Sequence, residues 1–304
     1  MSNPETSVRS PLTAVVLSLA ATGLGQVYCG RIARGLVLFL GSMLFAPAIM
    51  LASLLPQATL VLVALMLVLL AVLGVYAFAV TDAFRLARRV GVTFQTQDYN
   101  HPLIYTLFIL VGLTYSTGGV FLIRANYFEA FLIPEKSDMP TLLPGDRILV
   151  NKSTYRRQSV RRSDMVAFRV PSEGATWVKL VIALPSDSVE VKNEAVFVNG
   201  KELVRELVPP VAMEATTHSV QCQQFLETSF GRTYRVLSAP TRDPVPDFPL
   251  TIVPERYCFV LGDNRNHSRD SRAIGCVAMG DILGEVQYRV WPATAWSSLG
   301  ILVQ

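Results

Sequence analysis

The sequence predicts a multi-pass α-helical membrane region followed by a mainly β exported domain. Three observations predict it. Residues 34–55, 58–80 and 102–123 are largely uncharged stretches, each long enough to cross roughly 30 Å of hydrocarbon. Arginines gather in particular loops between them, which orients the segments. Beyond Arg124 the chain changes to short alternating or β-branched runs separated by turn signals.

The first apolar run, 11–28, is shorter and is interrupted by Gly23 and Gly25. It either spans or forms a re-entrant segment. A cleavable signal peptide is disfavoured, because the basic stretch before it is thin and further membrane segments follow directly. Arg31 and Arg34 precede the second segment, and Arg85, Arg88 and Arg89 lie between the third and fourth. Both loops are cytoplasmic by the positive-inside rule. The second and third segments then form a hairpin joined outside near Pro56 and Gln57. The fourth carries everything after Arg124 outward. The expected organisation is therefore a membrane hairpin region over 1–101 with a cytoplasmic loop over 81–101, an anchor over 102–123, and an extracytoplasmic domain over 124–304.

Composition agrees with a membrane protein: 51% of the 304 residues are hydrophobic and only 16% are charged. The net charge of +4 does not point to nucleic acid, least of all for a domain on the outer side. Cys222, Cys258 and Cys276 fall in that domain, where an oxidising compartment permits one bridge in any of three pairings. No pair has metal-ligand spacing, so no metal is expected.

In the exported domain, strands are expected over Arg147–Asn151, Met165–Val170, Trp177–Leu184, Ser188–Val198, Tyr257–Leu261 and Ile282–Trp291. Asn199-Gly200 supplies the positive φ angles of a tight hairpin. Residues 202–254 are rich in proline and read as a partly irregular insertion remote from the chemistry. Trp291 and Trp296 suit either a buried core or an interfacial contact.

Ser137 lies just beyond the last apolar segment. A serine hydroxyl needs a base to attack an amide, and His101, His218 and His267 stand in no triad context. Lys179 is flanked by Trp177, Val178, Leu180, Val181 and Ile182, a run characteristic of a buried strand. Burial there penalises the ammonium and favours an amine that can accept a proton. Taken singly, each residue reads as ordinary: a serine beside a proline turn, and a lysine on a strand.

Together with their neighbours they do not. Ser137-Asp138-Met139-Pro140-Thr141-Leu142, with Pro144-Gly145-Asp146 behind it, resembles the serine box of type I signal peptidases. Ser163–Arg169 is similar to their next strand box, and Trp177–Pro185 to their lysine box. Gly262–Arg272 resembles their last box. Four boxes in order beyond a membrane anchor make a specific signal over roughly residues 121–291.

The resemblance implies a mainly β, signal-peptidase-like catalytic domain with a serine–lysine dyad. Ser137 matches the nucleophile and Lys179 the general base. Ser268 matches the hydroxyl that orients the lysine, and Asp270 with Arg272 a supporting ion pair. The Ser137 backbone N–H matches an oxyanion donor. The implied activity is removal of signal peptides from exported preproteins at the outer face of a bacterial cytoplasmic membrane, after small residues in an Ala-X-Ala-like pattern. It needs no cofactor. The implied partners are preproteins with cleavable signal peptides, the lipid bilayer and, by proximity, the secretion machinery.

The chain also departs from the family pattern. Glu135 stands where many members carry a serine that completes the oxyanion hole, and an ionised carboxylate cannot donate. Asp138 replaces the apolar residue usual after the nucleophile. Either carboxylate, if turned inward, would bear on Lys179. Leu180, Ser186, Asn266 and His267 are further departures. Two alternatives follow: a specialised peptidase for one dedicated precursor, or an inactive membrane scaffold or preprotein-binding relative. A second likeness, of Gly23–Arg31, Gly35 and Thr81-Asp82-Ala83 to a small bacterial membrane-hairpin module, is equally well read as glycine turns between packed helices.

Overall fold

Apolar runs without water to satisfy their backbones fold as helices, and the N-terminal half follows that rule. A computed structural model describes residues 6–90, 94–209, 223–238, 247–293, 296, 299 and 300, and divides into two units at Tyr127 and Phe128. In the first unit a short strand, β1 (Thr6–Ser7), precedes α1 (Pro11–Ala20), α2 (Leu24–Tyr28), α3 (Ile32–Ser42), α4 (Phe45–Ala52) and α5 (Ala58–Val90). Strand β2 (Phe94–Gln95) then pairs with β1, and α6 (Pro102–Asn126) completes the unit.

Among the described residues, three helical stretches are long and apolar enough to cross a membrane: Ile32–Ala52, Ala58–Val90 and Pro102–Asn126. The run over 11–28 is not one of them. Gly23 breaks it with a φ of 91°, leaving α1 with ten residues, about 15 Å and half the hydrocarbon thickness. The stretch expected over 34–55 is interrupted between α3 and α4. Pro47 has no N–H for the Met43 carbonyl, and the Tyr115 hydroxyl donates to that carbonyl instead.

Helix α5 runs past the expected end at residue 80, through Arg85, Arg88 and Arg89 to Val90, so the first part of the expected 81–101 loop is helical. Asp82 on that extension is buried, accepts from Gln26 Nε2 at 3.1 Å and pairs with Arg34 at 2.8 Å. A Cβ at Gly35 would collide with Val27 and the Gly23 carbonyl. These glycines permit close helix packing.

The second unit begins with β3 (Phe128–Leu132), β4 (Arg147–Asn151), β5 (Met165–Val170), β6 (Ala175–Ala183) and β7 (Ser188–Lys192). Strands β8 (Ala195–Val198), β9 (Lys201–Glu202), β10 (Val204–Val208), β11 (Gln223–Ser229) and β12 (Arg232–Ser238) follow. Last come β13 (Phe248–Ile252), β14 (Tyr257–Leu261), the single turn α7 (Ser271–Ile274), β15 (Val277–Ala278) and β16 (Ile282–Trp291). The main sheet has the order β15-β14-β6-β5-β16-β4-β3. A second has the order β13-β7-β8-β9, and a third β10-β11-β12. All their ladders are antiparallel.

The central strands β5, β6 and β14 of the main sheet are buried on both faces, which is why they read as apolar runs rather than alternating ones. Leu180, Ile182 and Leu261 join a core with Val189 and Val198 of the second sheet and Val236 of the third. Val166, Val181 and Val260 face a separate cluster with Phe168 and Cys258.

Three expectations need correction. The run Ser188–Val198 is a hairpin, turned at Asn193 and Glu194 with φ angles of 49° and 65°. The 202–254 segment is largely strand where it is described, and it meets the last box directly. Trp291 and Trp296 are 54% and 62% exposed, with their rings edge to face, so neither is a core residue. Cys258 and Cys276 are free thiols; Cys222 lies outside the described residues. Burial pushes the Cys258 thiol up to about 12, which makes it inert near neutrality.

Candidate active site

The β3–β4 connection carries Ser137 and is held at both ends. Ile133 N–H donates to the Asp146 carbonyl at 2.9 Å, and Gly145 N–H to the Ile133 carbonyl at 2.7 Å. The fully buried Asp146 carboxylate accepts from the backbone of Leu143 and of Ala293, each at 2.8 Å, and pairs with Arg289 at 3.0 Å. Arg289 also donates to the Thr141 carbonyl. In the middle of the connection, Asn264 N–H donates to the Ser137 carbonyl and Asn264 Nδ2 to the Lys136 carbonyl, both at 3.0 Å. Asn264 lies in the last box, but nothing in its residue type alone marked it as the tether of the serine.

Lys179 is the centre of the buried strand β6, opposite Val166, and is 3% exposed. Its Nζ donates to Ser137 Oγ at 2.8 Å and to the Val178 carbonyl at 2.7 Å. It also contacts both oxygens of Asp138, at 3.0 and 3.2 Å. Ser137 Oγ donates to Asp138 Oδ2 at 2.9 Å. So the fold brings together two residues 42 positions apart, and it places a carboxylate against both. Asp138 is 4% exposed, and burial raises its carboxyl above the usual range, against the lowering effect of Lys179. Glu135, by contrast, is exposed. The Ser137 N–H meets no acceptor among the described residues.

Ser268 is brought to the site but not into the arrangement its type suggested. Its hydroxyl is buried without a hydrogen bond, and Lys179 Nζ spends its bonds on Ser137, Asp138 and Val178. Gly262 explains the packing: a Cβ there would collide with Ser268 Oγ and with the Ser137 carbonyl. Asp270 and Arg272 form a bidentate pair at 2.7 and 2.8 Å. Asp270 also accepts from Gly262 N–H at 3.0 Å, and Arg272 donates to the Arg265 carbonyl at 2.8 Å. The pair therefore clamps both ends of the Gly262–Arg265 turn.

Two buried acids went unassigned in the sequence. Asp263 is 2% exposed, and burial pushes its carboxyl up to about 7, with the Asp138 charge adding to the rise. Glu227, on β11 of the supposedly remote insertion, has no exposed surface. It takes both Arg265 nitrogens at 2.9 and 2.6 Å, Arg205 at 2.8 Å and the Tyr234 hydroxyl at 2.6 Å. Burial alone would raise it; the Arg265 and Arg205 charges outweigh that and hold it at about 2. Next to it, Leu237 N–H donates to the Asp263 carbonyl at 2.8 Å, and Arg265 N–H to the Leu237 carbonyl at 3.0 Å. No group of acidic, cysteine or histidine side chains among the described residues has the makings of a metal site.

Comparison with known proteins defines the class. Residues 102–291 match the family described as signal peptidase, peptidase S26. A signal peptidase I of Bacillus caldolyticus is 33% identical over 170 residues, covering 56% of this chain and 83% of the relative. A probable signal peptidase I-1 of Synechocystis is 30% identical over 59% of this chain and 79% of its own length. A signal peptidase IB of Staphylococcus aureus is 30% identical over 57% and 83%. A crystal structure of a signal peptidase I from Enterococcus faecalis aligns over 42% of this chain and 97% of that one, at 22% identity and a TM-score of 0.25; the assignment does not rest on it. The protein is a hydrolase, a serine peptidase. It belongs to the signal peptidase family, peptidase S26, as a type I member.

Proposed function

We propose that this protein removes signal peptides from exported preproteins, with Ser137 as nucleophile and Lys179 as general base. The observation that carries the reading is the 2.8 Å approach of the buried Lys179 amine to Ser137 Oγ. A neutral lysine has a lone pair that accepts the serine proton as Oγ attacks the scissile carbonyl. The negative charge that develops on the carbonyl oxygen is stabilised by the Ser137 N–H. Lysine then passes the proton to the leaving amine, and water repeats the sequence on the acyl-enzyme. Asn264 sets the position of Ser137, and the Asp270–Arg272 pair supports Asn264's turn. Ser268 takes up the lysine-orienting role once the resting contacts rearrange. The reaction uses protein groups throughout.

The same reading makes the protein multi-pass in a bacterial cytoplasmic membrane, with residues from 124 onward outside, near the secretion machinery. Three apolar helical stretches and the arginines at Arg31, Arg34, Arg85, Arg88 and Arg89 support it. A specialist for one precursor is the second reading. It is favoured by the acid at 138, which no generic signal peptidase chemistry requires.

The test is cleavage of a generic preprotein in detergent or proteoliposomes. Wild type should cleave, and Ser137→Ala and Lys179→Ala should fall to background, a loss of at least 1000-fold. Full activity of Ser137→Ala would sink the dyad. A wild type that ignores generic preproteins but processes a single one identifies the specialist, and a wild type inert on all identifies a scaffold.

A further inference from the structure

Proton abstraction needs the Ser137 hydroxyl free to donate to Lys179, and Asp138 competes for both groups. Lys179 Nζ lies 2.8 Å from Ser137 Oγ, but Asp138 Oδ2 lies 2.9 Å from the same Oγ, and the two Asp138 oxygens lie 3.0 and 3.2 Å from Nζ. One carboxylate can therefore accept from the hydroxyl and from the amine together. We propose that Asp138 is a latch on the dyad, a positioning residue whose carboxylate keeps the free enzyme in a resting arrangement and must let go of Lys179 before the serine proton can move. The proposal rests on the dyad reading above.

The surroundings make the latch effective. The Lys179 and Asp138 side chains are 4% and 5% exposed, so water screens little of their attraction. The other groups that bear on the pair are few. Asp263 and Arg265 come from the turn after β14, Asp270 from the N-terminus of α7, and Ser137 from the serine loop itself. Arg265 is committed to Glu227 and Asp270 to Arg272. Asp263, buried and prone to stay protonated near neutrality, offers the lysine little competing charge. Asp138 is thus the one anion in contact with the amine among the described residues. A carboxylate so placed favours the ammonium over the amine. The pair binds its protons as a unit, so the sign of its effect on rate follows. Removing the carboxylate charge removes that preference, so the acid limb of the rate profile should move to lower pH in a variant that lacks it.

The experiment compares the pH dependence of kcat/KM for the full-length wild type and Asp138→Asn, which keeps the shape and removes the charge. The acid limb should move down by one pH unit or more, read as about tenfold faster cleavage by the variant at a pH below both midpoints. Asp138→Met is read in the same way and serves if the asparagine variant does not fold. A parallel readout is the 15N resonance of Lys179 Nζ, assigned by its loss in Lys179→Met among the lysines 136, 152, 179, 192 and 201. It should titrate at lower pH in Asp138→Asn. An unchanged or higher limb overturns the latch. So does a folded Asp138→Asn that is inactive at every pH, which would make the carboxylate part of the base. Activity in Ser137→Ala defeats the dyad itself; an inactive Ser137→Ala with an unmoved limb defeats the latch alone.

Discussion

Asp263 shows how a single buried acid shapes stability around the site. Its carboxyl is pushed up to about 7 from an ordinary 3.8, chiefly by burial. From roughly pH 4 to 7 the folded protein therefore keeps a proton that the unfolded chain releases, so this residue's contribution to stability declines as pH rises through that window. A shift of about three units corresponds to at most a few kcal/mol, on the order of 4. Asp263→Asn should flatten the dependence of Tm on pH between 4 and 8 and raise Tm at pH 8. A variant that melts below wild type at pH 8 would show that the ionised carboxylate is satisfied in the fold. The sequence made some residues legible at this scale and not others. Ser137 and Lys179 could be read because each sits in a distinctive local run. Asp138 was visible as a departure beside Ser137, but whether it or Glu135 turns inward depends on the backbone of the β3–β4 connection. That connection is set by Asp146, Arg289 and Asn264, residues separated by more than 100 positions from one end to the other.

At the level of elements, the three-stranded sheet β10-β11-β12 is tied to the catalytic turn through one residue. Glu227 neutralises Arg265, which is 4% exposed on its side chain, and β12 adds main-chain bonds from Leu237 to Asp263 and Arg265. Glu227→Ala would leave a buried guanidinium with no counter-charge, a loss of about 3–5 kcal/mol. Because Glu227 is held at about 2 against an ordinary 4.5, its stabilising effect is full above pH 4.5 and is lost as pH falls towards 2. The variant's deficit in Tm against wild type should accordingly be large at pH 7 and shrink in acid. Its kcat should fall as the turn holding Asn264 loosens. An equal deficit at pH 7 and pH 3 would contradict the account. This coupling was illegible in the sequence, since a run rich in prolines between 202 and 254 offers no period by which to pair β11 with β12. Five strands of the seven-stranded sheet, β4, β5, β6, β14 and β16, were legible as apolar or β-branched runs, whereas the half-exposed edge strand β3 and the two-residue β15 were not. The hairpin β7–β8 hid in one such run, its turn made by Asn193 and Glu194 without a glycine.

For the whole molecule, the decisive quantity is the length of apolar helix set against the thickness of a bilayer. Helix α5 has 33 residues, about 50 Å, well beyond the roughly 30 Å of hydrocarbon. Lying along the bilayer normal, about two fifths of it is outside the apolar layer. The end carrying Asp82, Arg85, Arg88 and Arg89 is the part that hydrocarbon would reject, since each charge at mid-bilayer costs about 2.5–3.5 kcal/mol. The opposite end, beginning at Ala58 after Pro56 and Gln57, bears no charge in its first turn. On the proposed topology the basic end sits at the cytoplasmic side, the α4–α5 connection lies outside, and α6 carries the chain outward again. Peptide tags after Gln57, after Gln97 and at Gln304 test this order in intact cells. The tags at 57 and 304 should bind antibody without permeabilisation, and the tag at 97 only after it. Labelling of the 97 tag in intact cells would reverse the topology. It would also put Ser137 on the side of the membrane where preproteins have not yet crossed, and so remove the basis for signal-peptide cleavage.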